Sequence, residues 1–470
     1  MRGFLFAMVL LLAARPVQCR QLDAEARAGI DRVFAEYDRS DGPGCAVGVV
    51  REGALVFAKG YGVGQLDQGS LLTPSSVFYL ASVSKQFTAA AVLIAEREGY
   101  LALDDDIRRW IHEMPDYGAP ITVRHLLHHT SGVRDYLTLM GLAGTPLANV
   151  LSDQAMLGLI ARQRELNFEP GSEHLYSNSG YVLLAEIVKR ATGRSLHEYA
   201  DEKLFRPLGM RSTHFHDDRR HVVPGRVFSY DAGPDGAWRT NYLMNFDKVG
   251  DGGLYSTVED LSRWDRAFYE DLLGVPDFAA KMYTRGVLTS GDTIDYARGL
   301  SHSVLRGLPA VTHGGSLMAF RTFIGRFPEQ RVTIITLCND GSANSGRLST
   351  AVAEVVMADD VTEEAPTPAT ADQDDEPEEP PHSVSESALR GLAGTYRSEE
   401  LESTWIVRTE GGELILDHPG EGTGALRATG ERTFIGPYDI ELNFVGEGGR
   451  ADAFVVQAGR VRNLRFERVR

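Results

Sequence analysis

The chain has 470 residues, 43% of them hydrophobic and 24% charged, with a formal net charge of -17. That length exceeds one small core and points to two or three domains of an ordinary soluble globular protein. With 65 acidic against 48 basic residues and no clustered basic surface, the composition argues against a nucleic-acid partner.

The first segment reads as a targeting signal rather than structure. Arg2 gives a short basic start, and Phe4 to Ala14 is an apolar run too short to span a membrane. A signal peptide is expected over residues 1–19, with cleavage near Cys19. Gln18 is a poor fit to a lipoprotein cleavage box, so export as a soluble periplasmic or secreted protein is expected over a lipid anchor at Cys19. No later segment carries the run of roughly 18 apolar residues that a transmembrane helix needs. Cys45 and Cys338 both fall in apolar strand-like runs and read as two small core residues, although an exported protein allows them to pair.

Ala46 to Val50 and Leu55 to Tyr61 read as a hairpin turned at Arg51-Glu52-Gly53-Ala54. A short strand-like run, Val77 to Leu80, then gives way to Ser82-Val83-Ser84-Lys85. The helix that follows has a broad apolar face of Phe87, Ala90, Ala91, Leu93, Ile94 and Ala95, which marks it as central and buried. Tyr176-Ser177-Asn178 lies on a loop leading into a helix over Tyr181 to Ala191, ended near Gly193. Phe320 to Phe327 and Arg331 to Leu337 form a second hairpin about Pro328-Glu329-Gln330. Strands at both ends with helices between them predict an α/β fold of the α+β kind. It is one antiparallel sheet built from both ends of residues 22–358, flanked by helices, with a helical subdomain inserted.

Residues 359–388 are read as a linker. Between Asp359 and Ser383 there are ten acidic residues, five prolines and no Lys or Arg, so like charges extend the segment and little can be buried. The rest of the chain is therefore only mildly acidic. Residues 389–470 change to short strands separated by glycine turns: Trp405–Val407, Leu414–Leu416, Thr433–Ile435, Ile440–Val445, Ala453–Val456 and Val461–Phe466. This pattern predicts a small all-β barrel or sandwich.

Ser82 and Lys85 carry the first chemical signal. A serine at a helix N-terminus sits among unpaired N–H groups that favour developing negative charge. A lysine three residues on shares its face and offers a base, once burial or nearby positive charge lowers its pKa. The chain has only six lysines, yet the pattern alone also fits an ordinary serine-capped helix. Partners are needed. Tyr176 can relay a proton if cations beside it lower its pKa, and Asn178 offers a donor and an acceptor to a substrate amide. In Thr312-His313-Gly314-Gly315-Ser316, the glycines allow substrate close to the backbone. The N–H of Ser316 joins that of Ser82 as an oxyanion hole, and His313 supplies a proton or positive charge near Tyr176. His214-Phe215-His216-Asp217-Asp218 looks metal-like, but with no third distant ligand it reads as surface-loop polarity. His112-Glu113 lacks a zinc helix's second histidine, and no Gly-x-Ser-x-Gly elbow occurs. No metal and no cofactor are expected.

Taken together, Ser82/Lys85, Tyr176/Asn178 and His313/Gly315 resemble, in order, the three motifs of the penicillin-recognising serine hydrolases. That family spans class C β-lactamases, DD-peptidases, D-aminopeptidases and related esterases. Ile121 to Gly132, Arg206 to Met210 and Gly252 to Thr257 are further family-like phrases, and the resemblance covers roughly residues 25–358. The tail, with Gly394-Thr395-Tyr396, resembles a lipocalin-like accessory barrel of some members. The resemblance implies an acyl-enzyme on Ser82, with Lys85 and Tyr176 moving protons and a small-molecule or peptide substrate. One departure matters: His313-Gly314-Gly315 stands where many relatives have Lys-Thr-Gly, which removes groups that hold a substrate carboxylate. The expectation is therefore D-aminopeptidase-, amidase- or esterase-like chemistry, ahead of β-lactamase or DD-carboxypeptidase activity. A reading of another class is a penicillin- or peptide-binding sensor that acylates without turnover. The sequence leaves the oligomeric state open.

Overall fold

The computed structural model describes residues 21–241, 245–362, 382–420 and 422–469. The segment read as a signal peptide and most of the acidic segment read as a linker lie outside these. A helix α1 (Ala24–Val33) precedes the hairpin β1 (Cys45–Arg51) and β2 (Ala54–Tyr61). Helix α2 (Lys85–Arg97) follows, and eleven of its thirteen residues, Lys85 through Ala95, are buried. Helix α3 (Asn178–Thr192) stops at Gly193, whose φ of 73° is the left-handed cap that glycine adopts freely. The late strands are β3 (Ser301–Leu305), β4 (Leu308–Leu317), β5 (Phe320–Phe327) and β6 (Val332–Cys338), followed by α4 (Ser345–Val356).

These strands form one antiparallel six-stranded sheet in the order β3-β4-β5-β6-β1-β2. The sheet is thus assembled from both ends of this region, and the helices in between cover it. β1 and β6 are buried along almost their whole length because helices pack on both faces. Cys45 stands directly opposite Cys338 in the β1–β6 register, and the two form a disulfide across 293 residues of sequence. The reading of two separate core cysteines is therefore corrected: strands far apart in sequence place them side by side.

The C-terminal strands close into an antiparallel barrel of eight. Two of them, Gly394–Ser398 and Gly422–Ala428, were not predicted as strands. The barrel interior is filled by side chains: Trp405 packs 4.4 Å from Phe466, which stacks 4.9 Å from Phe454. A buried ion pair ties the barrel to the sheet-and-helix body. Arg134 Nη1 donates to Glu400 Oε2 at 2.7 Å, with the side chains 0% and 8% exposed. The same guanidinium also donates to the carbonyls of Arg462 and Asn463. Trp405 Nε1 donates to the carbonyl of Leu142 at 3.1 Å. Among the described residues, no helix is long and apolar enough to cross a membrane.

Candidate active site

Ser82 lies in a single 3-10 turn, Ala81–Ser84, between the strand Phe78–Tyr79 and α2. Ala81, with φ 47°, occupies the left-handed region that a Cβ disfavours. Neighbours hold this turn in place. Ser84 Oγ donates to Ala81 O at 2.6 Å, and Thr322 Oγ1 donates to Leu80 O at 2.8 Å. Gly315 on β4 presses against the same point: a Cβ there would meet Leu80 O and Thr322 Oγ1, each at 2.3 Å. Glycine at 315 is what lets β4 approach the nucleophile's turn.

Lys85 is fully buried, and its Nζ faces three oxygens. Ser82 Oγ is 3.1 Å away, Asn178 Oδ1 2.9 Å and the carbonyl of Asp251 2.7 Å. Burial pulls the amine down to about 7; Asp251 and Asp135 oppose that shift, while the charges of Lys248 and Arg460 assist it. A neutral amine has two hydrogens and one lone pair. With Asn178 and Asp251 accepting the hydrogens, the lone pair is left for the Ser82 hydroxyl.

Tyr176 presents its ring 4.8 Å from Lys85 Nζ, and the neighbouring Ser82 hydroxyl only partly offsets the effect of burial on its phenol. Burial drives the phenol well above its ordinary range, so it is a neutral O–H rather than the lowered tyrosine expected from neighbouring cations. Asn178 opens α3 and is firmly tied. Its backbone N–H and Nδ2 both donate to Asp135 Oδ2, at 2.7 and 2.8 Å, while its oxygen serves Lys85. One amide hydrogen remains for the cleft that Asn178 lines.

His313 is buried on β4. Its Nδ1 donates to Gly314 O at 2.7 Å, which fixes the tautomer, and its Nε2 accepts from the Tyr296 hydroxyl at 3.1 Å. Burial, reinforced by Lys85, pushes this imidazole down to about 4. It is uncharged at neutral pH, so it does not supply the positive charge expected of it. Gly315 and the exposed Ser316 line the same cleft, of about 920 Å³, with Ser82, Tyr176 and Asn178. All seven residues singled out from the sequence thus border one cavity or, for Lys85, lie immediately beneath it.

Other residues here are not assigned to the chemistry by the sequence: His129 falls in the family-like phrase Ile121 to Gly132 and reads as a packing or loop hydrogen-bonding residue, while Asp251 and Arg460 are not singled out. His129 (φ 57°) lies buried under Tyr176, ring centres 4.2 Å apart, and its Nδ1 accepts from the N–H of Ser177. It props the Tyr176 loop. Asp251 precedes the Gly252-Gly253 phrase and reaches Lys85 through its carbonyl. Arg460 comes from the barrel, in the two-residue turn between strands Ala453–Ala458 and Val461–Arg468. Its guanidinium stands 4.7 Å from the Tyr176 ring centre and 3.9 Å from Asp135 Oδ2, and it lines the cleft. Elsewhere, His214 and His216 are packed against Tyr255 rather than lying on a surface loop, with His214 Nε2 3.3 Å from His216 Nδ1.

Comparisons with known proteins bear on the family and the fold. A family model described as Beta-lactamase matches residues 30–357. The chain is 32% identical over 308 residues to a penicillin-binding protein of Bacillus subtilis (strain 168), covering 61% of this chain and 66% of that protein. It is 29% identical over 307 residues to a D-aminopeptidase of Gluconobacter oxydans, covering 65% of this chain and 57% of that one. The chain therefore spans less than two thirds of the length of these curated relatives. The octameric penicillin-binding protein homologue from Pyrococcus abyssi shares the fold with a TM-score of 0.62 at 22% identity. That match covers 94% of this chain and 98% of the other.

Proposed function

The chain belongs to the beta-lactamase family, and from that premise we propose that it is a serine hydrolase working through an acyl-enzyme on Ser82. The observation that carries this reading is the placement of Lys85 Nζ between Ser82 Oγ, Asn178 Oδ1 and the Asp251 carbonyl. Ser82 Oγ bonds to the substrate carbonyl carbon while its proton passes to neutral Lys85. The N–H groups of Ser82 and Ser316 receive the oxyanion. The C–N or C–O bond then breaks as the proton is delivered, through the Tyr176 hydroxyl, to the leaving amine or alkoxide. Water attacks the acyl carbon by the same route reversed and restores the Ser82 hydroxyl.

The substrate is a peptide, amide or ester of the D-aminopeptidase or esterase type. An uncharged His313 followed by Gly314 supports it, since at the two positions where many relatives carry Lys-Thr this strand offers neither a cation nor a hydroxyl to a substrate carboxylate. A second reading, DD-carboxypeptidase or β-lactamase activity, is favoured by one observation: Arg460 brings a guanidinium to the cleft from the barrel. Turnover of D-amino-acid amides, of peptides with a free C-terminal D-alanine and of nitrocefin separates the two. If wild type cleaves only carboxylate-bearing substrates and Arg460→Ala loses that cleavage, the second reading replaces the first. A burst of acylation with no steady turnover on any of them makes the protein a sensor instead.

We also propose division into a hydrolase region over 22–358, a linker over 359–388 and an accessory barrel over 389–470. Export is part of the same reading. The basic and apolar start of the chain supports it, as does the Cys45–Cys338 disulfide, a bond that persists in oxidising compartments. N-terminal sequencing of the mature protein tests this; a retained Met1 contradicts it.

A further inference from the structure

Directly behind Lys85 lies a buried polar set that the acyl-transfer steps do not use. Asp251 offers its backbone carbonyl to Lys85, while its carboxylate turns away. Lys248 Nζ donates to Asp251 Oδ1 at 2.5 Å, and the Tyr136 hydroxyl donates to Oδ2 at 2.8 Å. The Lys248 and Asp251 side chains are 1% and 5% exposed, and Tyr136 is fully buried. The Lys248 cation also lies 4.7 Å from the Tyr136 ring centre and 5.4 Å from that of Phe246.

The turn that carries this pair is pressed against α3. Gly250 has φ 116°, and a Cβ there would come within 2.3 Å of Tyr181 O. Thr88 Oγ1 of α2 donates to Gly250 O at 2.7 Å. The Asp251 carbonyl is therefore held at a fixed distance from Lys85. So is its carboxylate, and an unpaired carboxylate there would favour the ammonium form of Lys85. An ammonium cannot take the Ser82 proton.

We propose that Lys248 is a positioning residue for the reaction: it takes up the charge of Asp251, so that Asp251 fixes Lys85 through its carbonyl while the amine stays free to act as a base. This rests on Lys85 being the base in the proposed acyl transfer. The other groups around Lys85 are Ser82, Asn178, Tyr176, Tyr181, His129 and His313, with the charges of Asp135 and Arg460 further out. None of them is altered in the test, so a shift is assignable to the Lys248–Asp251 pair.

The test is the pH dependence, from 5 to 9, of the acylation burst with a p-nitrophenyl ester, in full-length protein. Lys248→Met should move the acid limb upward by about one pH unit or more, the usual effect of an added neighbouring charge. Asp251→Asn, which leaves the Lys248 cation unopposed, should move it downward. The double variant Lys248→Met/Asp251→Asn should return it close to the wild-type position. If Lys248→Met does not fold, Tyr136→Phe removes one hydrogen bond from the carboxylate and should give a smaller upward shift. Limbs that stay at the wild-type pH while rates fall evenly would overturn the inference and leave the pair a purely structural one. A wild type with no burst at any pH overturns the acyl-enzyme reading instead, so the two failures are distinguishable.

Discussion

Lys85 Nζ lies 3.1 Å from Ser82 Oγ at the junction where a strained 3-10 turn enters α2, eleven of whose thirteen residues are buried. Burial is what makes this lysine a base at neutral pH, with its amine pulled down to about 7. The active form is the deprotonated one, so acylation should rise with pH through about 7 and level off above it. A rate that falls over the same interval would contradict the assignment. Lys85→Met should lower the acylation rate on the order of 100- to 10,000-fold, the usual range for a general base.

His313 should contribute no limb between pH 5 and 9, because its imidazole already titrates near 4. In His313→Gln the position of the acid limb should match wild type even where the rate changes. A descending limb near pH 6 to 7 in wild type that vanishes in the variant would show a functional imidazolium and overturn the neutral assignment.

Gly315→Ala tests the close approach of β4 to the nucleophile. The added Cβ meets Leu80 O and Thr322 Oγ1 at 2.3 Å, so the Ala81–Ser84 turn has to shift. Misplacement of a nucleophile by about 1 Å costs on the order of 100-fold in rate. The expected outcome is a fall in kcat of that order together with a lower melting temperature, since the Leu80 carbonyl is backbone and overpacking typically costs about 1–3 kcal/mol. Unchanged kcat would mean the turn has slack that the geometry does not show.

The barrel is part of the site through Arg460, and it is anchored by the Arg134–Glu400 pair. Glu400→Ala strands a buried guanidinium and should destabilise the fold by about 3–5 kcal/mol, measured by denaturant unfolding. Deleting 389–470 should change kinetics as well as stability. Kinetics identical to wild type after that deletion would exclude any catalytic or substrate-binding part for the barrel.

Reduction should also destabilise the protein. The Cys45–Cys338 bond closes a loop of 293 residues between adjacent strands, and losing such a bond typically costs about 2–5 kcal/mol. Calorimetry with and without reductant reads this directly. Equal melting temperatures would show that the sheet register alone holds β1 against β6.

Much of this was legible in the chain because it is written in local pattern. The β1–β2 and β5–β6 hairpins follow from apolar runs around polar turns, and the buried α2 follows from its unbroken apolar face. What stayed hidden depends on contacts between distant segments. Gly422–Ala428 carries little β-forming side chain and becomes a strand only because the barrel closes over it. The partnership of Cys45 with Cys338 exists only once β1 lies on β6. Tyr176 and His313 were expected to respond to neighbouring charge, but complete burial outweighs charge for both. Arg460 is separated from Asp135 and Tyr176 by hundreds of residues, and no local spacing connects a barrel turn to a catalytic loop.

Intact-mass detection of acylation tests the central claim most directly. Wild-type protein mixed with reactive p-nitrophenyl esters, D-amino-acid amides, muropeptides and nitrocefin should gain the mass of one acyl group with at least one of them. Peptide mapping should place that group on Ser82, and Ser82→Ala should gain none. A Ser82→Ala protein still labelled within the cleft would contradict the account.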